Sequence, residues 1–447
     1  MSGAALPPAI VAACDALAVA LSQYAETHPD AALATLEADV LAAVRTALPA
    51  LLQAVQQTTL RALRTLPVRC PQCQHRASEH DWRRRQVLTT CGLLRWERPW
   101  ATCLTCGQRF GAGDATLGLG PYQRQSAGVR ALVTALGSAT DFREASDLLA
   151  QTTGLVLSRE TVRRETEAAG TDRADAQAAA ATRFAAGTEP AVADPAPGVL
   201  VAETDGVMVR YLDGWHEVKL GVVGGWLATP DPHPAAPPGH LLAPSYVAAR
   251  QDSAAFAPRL GAEVARRGGL AVVGWHGVHQ GVAALRPVVL LGDGAKWIWV
   301  TIADQFGTVT EIVDFYHACE HLTTVAGLLY GPGSAAATAW ATARREELLT
   351  EGVDTILPQL KAPDDLSEEA RKTLTTEQGY FRANRARLQY PTFRAAGLPI
   401  GSGAVESSAK HLIQQRLKRA GMRWSDAGGR ALIALRAERA CQISQAA

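Results

Sequence analysis

Four cysteines constrain this chain more than any other feature. They stand as two Cys-x-x-Cys pairs, Cys70 and Cys73 in RCPQC and Cys103 and Cys106 in ATCLTCG. Two intervening residues let one turn present both thiolates to a single tetrahedral ion, and two such pairs complete a four-cysteine zinc site. The gap between the pairs allows a few short strands, and a closed site of this kind folds a small ribbon rather than performing chemistry. A redox role for either pair lacks the βαβ surroundings it requires. Cys91 lies between the pairs and is surplus. Eight cysteines in a reducing compartment argue against a disulfide framework.

At 447 residues, length alone points to roughly three domains. The hydrophobic and charged fractions, 47% and 19%, are those of a soluble globular protein. No uncharged apolar run reaches about 18 residues, so no membrane span is expected. The opening MSGAALPPAIVAACDALA has no basic region ahead of an apolar stretch, which makes it a poor signal peptide. The expected location is the cytoplasm.

Residues 1–66 read as Ala/Leu-rich helices punctuated late by Pro49, with a packing or dimerisation role. Residues 67–112 read as the ribbon and 120–172 as a helical, helix-turn-helix-like region. An Ala-rich and then Pro-rich stretch over 171–197 reads as a helix tail ending in a linker. Beyond it, VLVAETDGVMVRYLDGWHEVKLGVVGGW alternates apolar residues with turn signals such as Asp213-Gly214, the pattern of consecutive antiparallel strands. A loop holding Pro230, Pro232, Pro234, Pro237 and Pro238 interrupts it. A short strand near Tyr246, a helix near 254–267 and the buried strand PVVLLGDG follow, and from Lys296 onward the pattern is largely helical.

The net charge of +1 conceals an uneven distribution. Residues 61–109 are rich in arginine, including Arg83, Arg84 and Arg85, and residues 410–439 are mostly basic. Each cluster alone reads equally as a solvated face. Between them, DFREASDLLAQTTGLVLSRETVRRETEAAG has the form of two helices joined by a turn. Ala145, Leu148 and Leu149 share a face of the first helix, Thr153-Gly154 breaks the chain, and Ser158 is suited to cap the second. Val162 would then face inward and leave Arg159, Arg163 and Arg164 where a recognition helix meets DNA.

Phosphoryl transfer on DNA by two metal ions about 4 Å apart requires carboxylates at the ends of buried strands and another on a helix. Asp205 in VLVAETDGV, Asp293 closing VVLLGDG and Glu406 in PIGSGAVESSAKHLIQQRLKRAGMRW occur in that order. A strand-end Asp beside Gly is also a common turn residue, and Glu406 is also a first-turn acid four residues before Lys410. Taken together, the three fit an RNase H-like core.

The strings ETDGVMVR, GWHEVKLGVV, VVLLGDGAKWIW, DFYHACEHL, PIGSGAVESSAKHL and LKRAGMRWS resemble a bacterial insertion-sequence DDE transposase of the ISKra type. The resemblance runs from the ribbon to the C-terminus. It implies an α/β fold with an RNase H-like catalytic core over 198–320 and 398–440 and a helical insertion over 321–397. It also implies excision and joining of element ends with Mg2+ or Mn2+. By motif, Asp205, Asp293 and Glu406 would be the metal-binding triad, with Asp314 and His317 as auxiliary active-site residues. Lys410, Arg416 and Lys418 would hold the phosphate backbone. The implied partners are double-stranded element ends and target DNA at the bacterial nucleoid, engaged by at least a dimer. His321 falls at i+4 from His317, a zinc-compatible spacing, but no third ligand accompanies it. Two other readings share these features: a domesticated transposase acting as a DNA-binding regulator, and an RNase H-like nuclease.

Overall fold

A computed structural model describes residues 7–63, 67–188, 198–229, 239–275, 279–284, 286–303, 306–307, 309–363 and 366–446. The chain divides into two units, Met1–Thr166 and Glu167–Ala447. The Pro-rich part of the expected linker and the proline loop between residues 230 and 238 lie outside the described residues.

The first unit opens with helices α1 (Pro8–Thr27) and α2 (Leu33–Leu63), joined by a hydrogen bond from Tyr24 Oη to Asp39 at 2.6 Å. Pro49 does not end a helix, contrary to expectation; α2 runs through it. Its ring instead covers Gly92, where a Cβ would come within 2.6 Å of it. Gly92 also has φ +103°, so both space and backbone conformation favour glycine there. Contrary to the membrane expectation, both helices are long and apolar enough to cross a bilayer, with mean hydropathy 1.4. One face of α2 is occupied, however: Leu52 and Leu60 pack on Val87, Leu94 and Trp96 of the ribbon.

The ribbon is a hairpin of β1 (Ala77–Thr89) and β2 (Gly92–Cys103), to which β3 (Arg109–Gly111) adds along β2. Three helices follow, α3 (Ala127–Ala139), α4 (Phe142–Thr153) and α5 (Arg159–Ala185). Their starts are capped by Ser126, Asp141 and Ser158, whose side chains accept amides of their own first turns. Gly154 ends α4 at φ 75°. Ala145, Leu149 and Val162 are buried with Val129 and Val133, as the helical spacing requires, while Leu148 is half-buried.

The second unit is a mixed α/β structure around a five-stranded sheet. Its strands are β4 (Val199–Tyr211), β5 (Gly214–Ala228), β6 (Gly239–Ala249), β9 (Val288–Gly292) and β10 (Thr310–Val313), in the order β10-β9-β4-β5-β6. The first three form an antiparallel meander, β9 is parallel to β4, and β10 is parallel to β9. Every residue of β9 is buried, which its unbroken apolar run anticipates. Helix α6 (Ser253–Arg266) packs Leu260 over Gly221 of β5.

Three strands lie where none was expected. A separate hairpin, β7 (Leu270–Trp275) with β8 (His279–Ala284), precedes β9, and β10 falls within the stretch expected to be helical. Helices α7 (Phe315–Tyr330), α8 (Ala335–Thr350), α9 (Val353–Ile356), α10 (Glu368–Ala383) and α11 (Tyr390–Ala395) then fill the segment before Gly401. The chain returns through α12 (Gly403–Ser408), a π-helical stretch Ala409–Gln414, the short α13 (Gln415–Leu417) and α14 (Asp426–Ala446).

Candidate functional site

The two cysteine knuckles are built alike. In each, the first cysteine's N–H donates to a carbonyl five residues on, Cys70 to His75 and Cys103 to Gln108, at 2.8 and 2.9 Å. Each turn closes through a left-handed residue, Gln74 at φ 61° and Gly107 at φ 72°. The four sulfurs lie within 4.8 Å of one another, with separations of 3.5, 3.6 and 3.7 Å among them. A tetrahedron of thiolates at about 2.3 Å from zinc has edges of about 3.8 Å, so the donor set and its spacing fit that ion. The Cys106 and Thr105 amides, both 3.4 Å from Cys103 Sγ, pull its pKa down to about 6.

In the second unit, β4 and β9 pair in parallel with Thr204 beside Gly292. The next residue along each chain is the expected acid, so Asp205, midway along β4, and Asp293, immediately past the end of β9, sit side by side. Each spends one oxygen locally: Asp205 accepts from Gly206 N at 2.6 Å and Asp293 from Ala295 N at 2.9 Å. Burial raises the Asp205 carboxyl above the usual carboxylate range, and the charge of Asp293 raises it further; the Gly206 amide and His317 oppose them. A divalent cation would relieve this like-charge pair, and two adjacent half-buried carboxylates suit magnesium or manganese.

Glu406 stands apart from them. Its side chain is 66% exposed and accepts from Lys410 Nζ at 2.7 Å, the i+4 surface pair open to it from sequence. Among the described residues, only the cysteines place three or more His, Cys, Asp or Glu donors within 4.8 Å of one another. The backbone beneath Glu406 is nevertheless anchored to the acid-bearing strand. Glu203, two residues before Asp205 on the same face of β4, accepts from Val405 N at 2.7 Å. Glu203 is 2% exposed, and burial pushes its pKa up to about 8.

Both carboxylate oxygens of Asp314 are engaged by neighbouring segments. The residue is buried: Oδ1 caps α7 by accepting His317 N at 2.7 Å, and Oδ2 accepts the Ser402 hydroxyl at 2.7 Å as well as the Ser402 amide. It therefore fixes the loop before Glu406 from a position next to Asp293, since Val313 pairs with Gly292 and the Asp314 amide donates to the Gly292 carbonyl at 2.7 Å. His317 is half-exposed, and its charge lowers the Asp205 pKa.

Beside His317, Glu377 and Tyr380 of α10 close one wall. Tyr380 stacks on His321 at 3.7 Å, His321 Nδ1 lies 2.6 Å from Glu377, and the Tyr380 hydroxyl reaches 3.5 Å from the Asp293 carbonyl. Gly294, at φ +92°, leaves room for that ring, since a Cβ would approach it to 2.7 Å. Sequence reasoning missed Glu203, Ser402, Glu377 and Tyr380. Only Glu203 carried a signal, because it alternates with Asp205 along one strand.

Of the expected DNA contacts, Arg159, Arg164 and Lys418 are exposed. Arg163 pairs with Glu160, with Nε 3.0 Å from a carboxylate oxygen. Arg416 corrects the expectation of a phosphate contact: it is 1% exposed and lies over the Trp424 ring at 5.0 Å. No known family matches this chain, and no curated protein does.

Proposed function

We propose that this chain is a DNA transposase whose second unit is an RNase H-like core acting through two divalent metal ions. The observation that carries the reading is the juxtaposition of Asp205, midway along β4, with Asp293, just past the end of the parallel strand β9, in a sheet of order β6-β5-β4-β9-β10. That is a three-strand meander followed by two parallel strands, the arrangement expected of such a core.

In this reading Asp205 and Asp293 hold the ions, which when bound activate the attacking hydroxyl and stabilise the leaving oxygen. Glu406 supplies the third carboxylate after rotating away from Lys410. Glu203 and Asp314 fix the loop and helix that bring Glu406 to the site, and the wall of His317, His321 and Tyr380 borders the scissile phosphate. The zinc ribbon and the α3–α5 helices bind the element ends, and two copies act together at synapsis.

Labelled DNA carrying the element's ends, incubated with magnesium, tests this. Asp205→Asn, Asp293→Asn and Glu406→Gln should each abolish cleavage and strand transfer while leaving end binding nearly unchanged. Cleavage at the wild-type rate in any one removes that residue from the triad. The outward Glu406 favours one second reading, a DNA-binding regulator that no longer cuts. Specific end binding by the wild type without any magnesium-dependent product selects it.

A further inference from the structure

We propose that the turn carrying Tyr122 is a stacking platform for an unpaired DNA base, set between two arginine-lined grooves of the first unit. Tyr122 is 84% exposed and sits at φ 58°, a left-handed conformation that glycine or asparagine adopts far more readily. Its ring has no hydrogen-bonding or ring partner among the described residues. Strained residues persist only where the surroundings over-determine them, and such strain concentrates at binding sites.

The surroundings here do over-determine it. Gly120 O accepts from the buried Arg85 at 2.9 Å, and Gly120 N donates to Gln123 Oε1 at 2.9 Å. Gln123 Nε2 in turn donates to Gln125 O at 2.6 Å. On the far side, Leu88 of β1 takes part in two backbone bonds of 2.8 Å, its N–H to Arg124 O and its carbonyl from Ser126 N. A turn bolted at both ends therefore projects a bare aromatic ring into solvent, so little conformational freedom remains to be lost on stacking.

Cations flank the ring on both sides. A groove of about 920 Å³ includes Arg83, Arg109 and Arg124, and a second of about 740 Å³ includes Arg124, Arg130 and Arg164. Tyr122 and Arg124 line both. Arg109 and Arg124 are exposed and have no salt bridge among the described residues. Arg83, Arg130 and Arg164 make only long contacts of 3.5–3.7 Å to acids, which a phosphate can displace. Basic grooves that track a backbone, joined by an aromatic face, are what sequence-tolerant binding of single strands uses. In an intact duplex the base faces are already stacked, so this ring fits a frayed end, a tail or an extruded base.

That the polymer is DNA rests on the function proposed above; the stacking does not. The test uses the full chain without magnesium and labelled duplexes of arbitrary sequence, one blunt and one with a short single-stranded tail carrying 2-aminopurine. The tailed duplex should bind about tenfold more tightly, with a change in 2-aminopurine fluorescence. Tyr122→Ala should erase the preference and Tyr122→Phe should keep it. Tyr122→Gly should raise the melting temperature, by relieving the left-handed strain, while still losing the preference. Arg109→Ala with Arg124→Ala should weaken both duplexes alike. Equal binding of the two by the wild type, or a preference that survives Tyr122→Ala, overturns the platform. Tighter binding of an RNA tail overturns its assignment to DNA. With no metal and no element sequence present, failure of strand transfer leaves these outcomes unaffected.

Discussion

The cysteine cluster and the carboxylate site are both suited to metal, yet one is assembled and the other is not. The four sulfurs already stand at the spacing of a zinc tetrahedron, and amides stabilise the Cys103 thiolate. The acids contribute one close pair, Asp205 and Asp293, whose charges oppose each other, while Glu406 faces solvent. The difference follows from chain distance and ligand chemistry. Each knuckle is a local turn that fixes two ligands at once. The carboxylates come from three separate segments, and the Gly206 amide and His317 offset the burial and repulsion of Asp205 only in part. A closed site of the first kind stabilises a fold, whereas an open site of the second kind leaves coordination positions for substrate.

The largest expected effects come from breaking each site in turn. Cys103→Ser with Cys106→Ser should remove about one zinc per chain and unfold the ribbon. Zinc binding by small four-ligand domains is worth about 10–16 kcal/mol, more than such a module's own core supplies. Elemental analysis and circular dichroism would read this, and a zinc-free protein with an intact ribbon would contradict it. Asp205→Asn should act in the opposite sense on stability. In the absence of divalent ions it removes a repulsion and should leave the melting temperature unchanged or raised. Magnesium should then raise the melting temperature of the wild type but not of the variant. If both proteins respond equally to magnesium, Asp205 is not a ligand.

The contrast also accounts for what the sequence made legible. The cysteines announce their site through spacing, Asp293 through its position at the end of an apolar strand, and Asp205 as an acid within one. Contacts made across the fold carry no such mark. Glu377 and Tyr380 lie within an ordinary helix, and only the tertiary structure brings them to His321. The strand β10 has four residues, too few for alternation to show against the helices around it. Arg416 was expected at the surface from its charge, but it lies four residues after Leu412 and eleven after Val405, so helical spacing already puts it on the buried stripe, where it packs on Trp424.

A third prediction uses the anchor beneath Glu406. The folded pKa of Glu203, about 8, lies above its ordinary value of 4.5, so the folded chain retains a proton that the unfolded chain releases between those values. The resulting stability is fully present below pH 4.5 and is lost as pH rises through about 8. Within that window the loss is at most about 1.4 kcal/mol per pH unit. Glu203→Gln keeps an acceptor for the Val405 amide and removes the titration, so its stability should fall less steeply. Denaturant unfolding at several pH values would show this, and superimposable slopes would overturn it.

Arg416 and Lys418 are two residues apart and should behave oppositely. Arg416→Ala should cost about 1–3 kcal/mol of stability, through lost packing on Trp424, without altering the salt dependence of DNA binding. Lys418→Ala should leave stability unchanged and reduce the salt slope by about one phosphate contact. A salt slope altered by both variants, each at full stability, would return Arg416 to the DNA-contacting surface.

The smallest effect tests whether the carboxylate site is merely waiting to close. The Lys410–Glu406 pair is exposed and should contribute no more than about 0.5 kcal/mol. Lys410→Ala should therefore hardly change the melting temperature of the metal-free protein. It does remove the ion pair that holds Glu406 outward. If Glu406 is the third ligand, releasing it lowers the cost of rotation by that same small amount, about 0.5 kcal/mol or a twofold gain in magnesium affinity. Magnesium titrations followed by thermal shift, without DNA, separate this gain from the loss of a lysine–phosphate contact. Glu406→Gln provides the matching control, since it should weaken magnesium binding and make the further change Lys410→Ala silent. If Lys410→Ala and Glu406→Gln both leave the magnesium titration unchanged, Glu406 is a surface acid, and the metal site consists of Asp205, Asp293 and groups contributed by the DNA.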